Sequence, residues 1–295
     1  MKLFLWKIHN IYDKIIESGD SFMDEEEKKA LLEAVQKFCL MDDTFFNCFM
    51  SDNIEGMTYV LNVIMERNDL VIKRIETQHT IPNLYARGVR FDVFATDSEG
   101  REYDFEIQNA NDGAIPKRAR YNSGMMDYRC LSKGADWSEL PETYVIFITA
   151  KDVLENNKAL YHIDRKIEET DTSFEDGAHI IYVNGEYDNI NTELGQMLRD
   201  FKCRKASEMK SSILADRMRF LKETDEGVAK VCEIMEDFAE RYAAKREALG
   251  EKNGRLKTVI SLIKKGKLSE NEAADEIGMT LEEFKKNMES CSTAQ

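Results

Sequence analysis

The stretch Arg90-Phe-Asp-Val-Phe-Ala-Thr-Asp-Ser-Glu-Gly-Arg-Glu-Tyr-Asp-Phe-Glu-Ile-Gln108 decides how the chain folds. Two β-rich runs flank Asp97-Ser-Glu-Gly100, a turn that ends in glycine, and this predicts a β-hairpin of strands 88–96 and 101–109. Alternate strand residues share a face. On the second strand Tyr103, Phe105 and Ile107 form an apolar face, while Asp104, Glu106 and Gln108 share the other. An antiparallel partner sets Asp92 alongside. A hard cation such as Mg²⁺ takes carboxylate, carbonyl and water oxygens. Asp92, Glu106 and the main-chain carbonyl of Ile107 make up such a set, suited to activating water against a phosphodiester. Acids at alternate strand positions are common, so by spacing alone the solvated face of an ordinary hairpin is the stronger reading and the metal site stays open.

Outward from the hairpin, residues 24–39 carry Leu31, Leu32, Val35, Phe38 and Cys39 at helical spacing, and 53–68 carry Met57, Val60, Leu61 and Ile64. A strand is expected at 70–77. Residues 115–133 read as a basic helix with Lys117, Arg118, Arg120, Arg129 and Lys133. Thr143-Tyr-Val-Ile-Phe-Ile-Thr149 is nearly all apolar, which predicts a strand buried on both faces. Weaker strand signals follow at 160–167 and 178–184, and from about 190 the pattern is helical. This order implies an α/β (α+β) architecture: an N-terminal helical segment over 1–40, a core over 41–190 and a helical C-terminal extension over 191–295.

The 295 residues carry 41 basic and 56 acidic side chains, a net charge of −15, which argues against a general nucleic-acid coat protein. Apolar content of 42% is enough for a real core. The six cysteines show no C-x-x-C spacing, so they are expected as free thiols of a reducing, cytoplasmic compartment. No apolar run approaches the roughly 20 residues of a membrane span, and no membrane association is expected.

Arg118 and Tyr121 are three apart and share a helix face. They suit either phosphate binding or a surface arginine beside a half-buried tyrosine. Basic runs at 199–222 and 252–267 can track a DNA backbone or simply be solvated. Ser269-x-x-Glu272 and Thr280-x-x-Glu283 are two capping boxes that start successive short helices. Residues 226–248 carry an apolar stripe suited to core packing or to homo-oligomer contacts.

Taken together, Gly88-Val-Arg-Phe-Asp-Val93, Phe105-Glu-Ile-Gln108 and Arg118-Ala-Arg-Tyr121, with Thr44-Phe-Phe46, the helix Asn53–Arg67 and Leu214-x-x-Arg-Met-x-Phe-Leu-Lys222, resemble the PD-(D/E)XK nuclease superfamily. The narrower resemblance is to Rpn-type recombination-promoting nucleases, the PD-(D/E)XK family transposases. It implies a restriction-endonuclease-like mixed sheet flanked by helices and Mg²⁺-dependent (or Mn²⁺-dependent) hydrolysis of DNA, linked to recombination or mobile elements. It makes Asp92 and Glu106 the metal carboxylates and Gln108 the residue that positions water. Gln108 stands where the superfamily's name calls for lysine, and a neutral amide cannot serve as a proton-transfer base. The resemblance also makes Glu55 a candidate further acid from the first core helix, with a helix-start charge as the alternative. Asp104 is a candidate supporting acid. A catalytically inactive nuclease-like scaffold that binds DNA or protein is the alternative function.

Overall fold

The computed structural model describes residues 33, 35–82, 88–109, 113–131, 134–234, 259, 260, 263, 268–276, 281 and 284. One compact unit extends to Met235 and a second covers 236–295.

The first unit opens with α1 (Asp43–Met50) and α2 (Ile54–Ile64). Asn53 caps α2 by accepting from Gly56 N–H at 3.0 Å. The expected helix 53–68 stops at Ile64, because Glu66 turns to a left-handed φ of 52°. Three antiparallel strands follow: β1 (Ile72–Ile81), β2 (Val89–Asp97) and β3 (Glu102–Gln108). β1 outruns its expected end at 77 because it stays paired to β2 as far as Ile81↔Val89. Helix α3 (Pro116–Cys130) then leads to β4 (Thr143–Thr149), which pairs parallel to β3.

The expected strand 160–167 is two pieces. β5 (Leu160–Ile163) joins the main sheet, while β6 (Lys166–Ile167) pairs with β7 (Thr172–Ser173) as a separate exposed ribbon. The ribbon buries no face; an Arg165–Asp176 ion pair spans it. β8 (Ala178–Asn184) completes the sheet, whose order is β1-β2-β3-β4-β8-β5. Helices α4 (Glu193–Lys202) and α5 (Ser212–Glu223) follow.

The central strands are buried on both sides, as the apolar run of β4 requires. Val93, Tyr103, Phe105, Ile146 and Val183 pack with apolar side chains of α1, α2, α4 and α5. On the other face Phe94, Val145, Phe147 and Tyr182 pack with Ala119, Met125 and Met126 of α3. This mixed sheet between helical layers is the restriction-endonuclease-like α/β fold. Because α4 and α5 share the sheet's core, the boundary expected at 190 falls inside the first compact unit.

The hairpin turn is fixed from within. Asp97 accepts from Glu99 N–H (2.9 Å), Arg101 N–H (3.0 Å), Arg101 Nε (2.6 Å) and Tyr103 OH (2.9 Å). These donors outweigh burial and hold its carboxyl below the usual range. Gly100, at φ +85°, takes a conformation that a side chain would strain.

The basic run 199–222 is partly structural. Lys222, 2% exposed, donates to the carbonyls of Phe38 (2.6 Å), Arg204 (2.7 Å) and Gln36 (3.3 Å). Arg217 donates to the carbonyls of Phe49 and Ser51. Neither is a solvated charge that tracks a partner.

In the second unit, α6 (Glu270–Glu276) begins with the expected capping box: Ser269 N–H donates to Glu272 at 2.8 Å, and Glu272 N–H to Ser269 Oγ at 3.3 Å. Val259, Ala273, Ala274 and Phe284 form a small apolar cluster. The second box, residues 24–32 and 34 of the first expected helix, residues 235–248 and most of 252–267 lie outside the described residues.

Candidate active site

The β2–β3 register runs from Thr96↔Glu102 to Val93↔Phe105. Its continuation sets Asp92 across from Glu106. The Asp92 side chain there accepts from Ile107 N–H at 3.3 Å. The N–H and C=O of one strand residue point to the same edge. The Ile107 carbonyl therefore faces the Asp92 side of β3, the opposite edge from the Gln108 carbonyl, which accepts from Ala150 of the β4 end.

Asp104 and Glu106 are both fully buried. Helix α3 covers them, which removes the solvated-face reading of the hairpin. Asn122 Nδ2 donates to Asp104 Oδ2 at 2.9 Å and reaches Glu106 Oε1 at 3.4 Å. Arg118 Nη2 donates to Glu106 Oε2 in a short ion pair, and its Nη1 to the Gly113 carbonyl at 2.9 Å. The guanidinium stands 5.5 Å from the centre of the Phe147 ring. Gln108 Nε2 approaches Glu106 Oε2 at 3.5 Å. A Cβ on Gly113 would fall 1.7 Å from Gln108 Oε1, so the glycine is what lets the amide lie where it does.

Three acids thus face one arginine. Burial pushes the Asp92 carboxyl up to about 6; the Asp43 charge adds to this, while Arg118 and the Ile107 N–H oppose it. Burial raises Glu106 well above the carboxylate range, reinforced by Asp104 and Asp92 and opposed by Arg118. Burial also raises Asp104, and Asn122 works against the shift. Asp104 Oδ1 is buried with no hydrogen-bond partner. Excess negative charge and an orphaned carboxylate oxygen suit a hard divalent cation. Among the described residues no three His, Cys, Asp or Glu side chains converge as ligands. Asp92, Glu106 and the Ile107 carbonyl, with water, are the oxygens that could hold such an ion.

Of the residues anticipated from sequence, Asp92, Asp104, Glu106, Ile107, Gln108 and Arg118 come together. Tyr121 is 37% exposed, because the buried residues of α3 are Ala119, Asn122, Ser123, Met125 and Met126. Glu55 is exposed in the first turn of α2, whose buried residues are Gly56, Met57, Val60, Leu61, Val63 and Ile64. Asp43, at the start of α1, is the helix acid whose charge reaches Asp92. Asp43, Asn122 and Gly113 went unremarked in sequence. Asn122 had a readable signal, standing four residues after Arg118 on a helix.

Residues 50–191 match the model of a family described as PD-(D/E)XK nuclease family transposase. No curated protein and no solved structure matches the chain.

Proposed function

Residues 50–191 belong to the PD-(D/E)XK nuclease family transposases, and on that premise we propose that the chain is a Mg²⁺-dependent DNA endonuclease whose centre is Asp92, Glu106 and Gln108. The observation that carries the reading is the meeting of Asp92 and Glu106 where the β2–β3 ladder ends, with Asp92 held on the Ile107 N–H. Asp92, Glu106 and the Ile107 carbonyl would hold the ion, and Mn²⁺ would suit the same oxygens. When bound, the ion lowers the pKa of a coordinated water and neutralises charge on the phosphate. Gln108 orients the attacking water through its amide and leaves the proton to solvent. Arg118, once clear of Glu106, has the planar donor fork to hold a phosphate oxygen pair. Asn122 keeps Asp104 and Glu106 in place.

The biological setting is DNA breakage linked to recombination or a mobile element. The described cysteines Cys39, Cys48, Cys130 and Cys203 are free thiols, which supports a cytoplasmic location. No described helix is long and apolar enough to cross a membrane.

The Arg118–Glu106 ion pair, together with glutamine in place of lysine, favours a second reading: a nuclease-like scaffold without activity. Plasmid nicking with Mg²⁺ or Mn²⁺ against an EDTA control separates the two. Metal-dependent cutting that disappears in Asp92→Asn and Glu106→Gln supports the nuclease. Cutting that persists in both variants overturns the site. A folded protein that neither cuts nor binds Mn²⁺ at millimolar concentration supports the scaffold.

A further inference from the structure

The outer face of α3 carries a feature that the hydrolytic centre does not use. Lys117, Tyr121, Gly124 and Tyr128 recur at i, i+4, i+7 and i+11, so they line one stripe, with Arg120 beside it. Tyr128 is 63% and Tyr121 37% exposed. Lys117, Arg120 and Gly124 are exposed as well. At the helical rise the stripe is about 16 Å long. It starts next to Arg118, the residue that reaches the acids.

Gly124 is the informative position. Glycine inside a helix costs roughly 1 kcal/mol relative to alanine. No packing asks for it here: among the described residues nothing lies within 4 Å of where its Cβ would stand. Among the described residues no packing accounts for the gap that the helix keeps between Tyr121 and Tyr128. A gap of that kind admits close approach from outside.

We propose that this stripe binds unpaired nucleotides of the DNA substrate, with bases stacked on Tyr121 and Tyr128 across Gly124, and with Lys117 and Arg120 on the phosphates. The identification of the ligand as DNA rests on the nuclease reading. Charge supports it, since Lys117 and Arg120 set two exposed cations beside the tyrosines against the one half-buried acid of α3, Asp127, on a chain whose net charge is −15. Aromatic faces select single strands, because bases offer their faces only when unstacked from a duplex. Two cations alone give little hold on a duplex backbone.

The test is fluorescence anisotropy of the full chain in EDTA, with a labelled oligothymidylate of roughly 12 nucleotides and a blunt duplex of the same length. Single-strand binding should be tighter than duplex binding. Tyr128→Ala and Gly124→Gln should each weaken it roughly tenfold, with melting temperatures unchanged or, for Gly124→Gln, raised. Asp92→Asn should bind the oligonucleotide like the parent, so a failed nuclease reading shows in the cutting assay and a failed stripe shows here. Tighter duplex binding, or parental single-strand affinity in both stripe variants, overturns the proposal. The second result would leave the stripe to a protein partner.

Discussion

Arg118 and Glu106 close an ion pair under α3, joining a helix side chain that is 34% exposed to a strand carboxylate that is fully buried. The pair neutralises one of the three clustered acids, of which Asp104 and Glu106 are fully buried. It also occupies an oxygen that the proposed metal ion would take. Arg118→Ala should therefore destabilise the metal-free protein by about 2–4 kcal/mol, since it strands a buried carboxylate. The same variant should bind Mn²⁺ more tightly, because the competitor for Glu106 is gone. Thermal melts and titration calorimetry read the two effects. Unchanged Mn²⁺ affinity would show that arginine and ion use different oxygens.

Gly113 sets the position of Gln108. In Gly113→Ala the new methyl has to push the Gln108 amide aside, because it would otherwise stand 1.7 Å from Oε1. The amide is the far end of a flexible side chain, so stability should change by less than about 1 kcal/mol. Any cutting activity should fall at least roughly tenfold, with KM little changed, if Gln108 positions the water. Activity equal to the parent would remove Gln108 from the mechanism.

Lys222 gives a pH dependence. Burial lowers its amino group from 10.5 to about 8. Between those values the unfolded chain binds more protons than the fold, so stability rises with pH through this window and the full penalty is present below about 8. Parent minus Lys222→Met should show a slope from pH 8 to 10.5 worth about 3 kcal/mol in all. Chemical denaturation across that range measures it, and a flat difference refutes the assignment.

Asp97 should matter for folding alone. Asp97→Ala strands the Tyr103 hydroxyl and two backbone N–H groups of the turn, and should cost about 2–4 kcal/mol. Single-strand binding at a temperature where the variant is folded should match the parent. A loss of binding without a loss of stability would contradict this division.

The parts of the fold that were legible in sequence are those whose pattern is local. β4 announced itself because burial on both faces leaves an unbroken apolar run over Thr143–Thr149. The β2–β3 hairpin was readable from its alternation and from Gly100. The ribbon β6–β7 was not, because an exposed two-residue strand needs no apolar periodicity. At the site, alternation put Asp104, Glu106 and Gln108 on one face but could not say what covers that face. Only the packing of α3 turns a polar face into a buried, charge-crowded one, and only tertiary approach brings Asn122, Gly113 and Asp43 to it. Tyr121 looked equivalent to Arg118 by spacing, yet side-chain reach and the buried side of the helix separate them.

The hydrogen bond from Ile107 N–H to Asp92 bears on how an inactive protein should be made. Alanine at 92 removes a candidate ligand and also leaves a strand-end amide without its acceptor, so a defect in cutting would be mixed with a loosened sheet end. Asparagine keeps an oxygen for that amide and drops the negative charge. A cleavage-dead protein meant to trap DNA for crystallography or cryo-electron microscopy is therefore better built on Asp92→Asn than on Asp92→Ala.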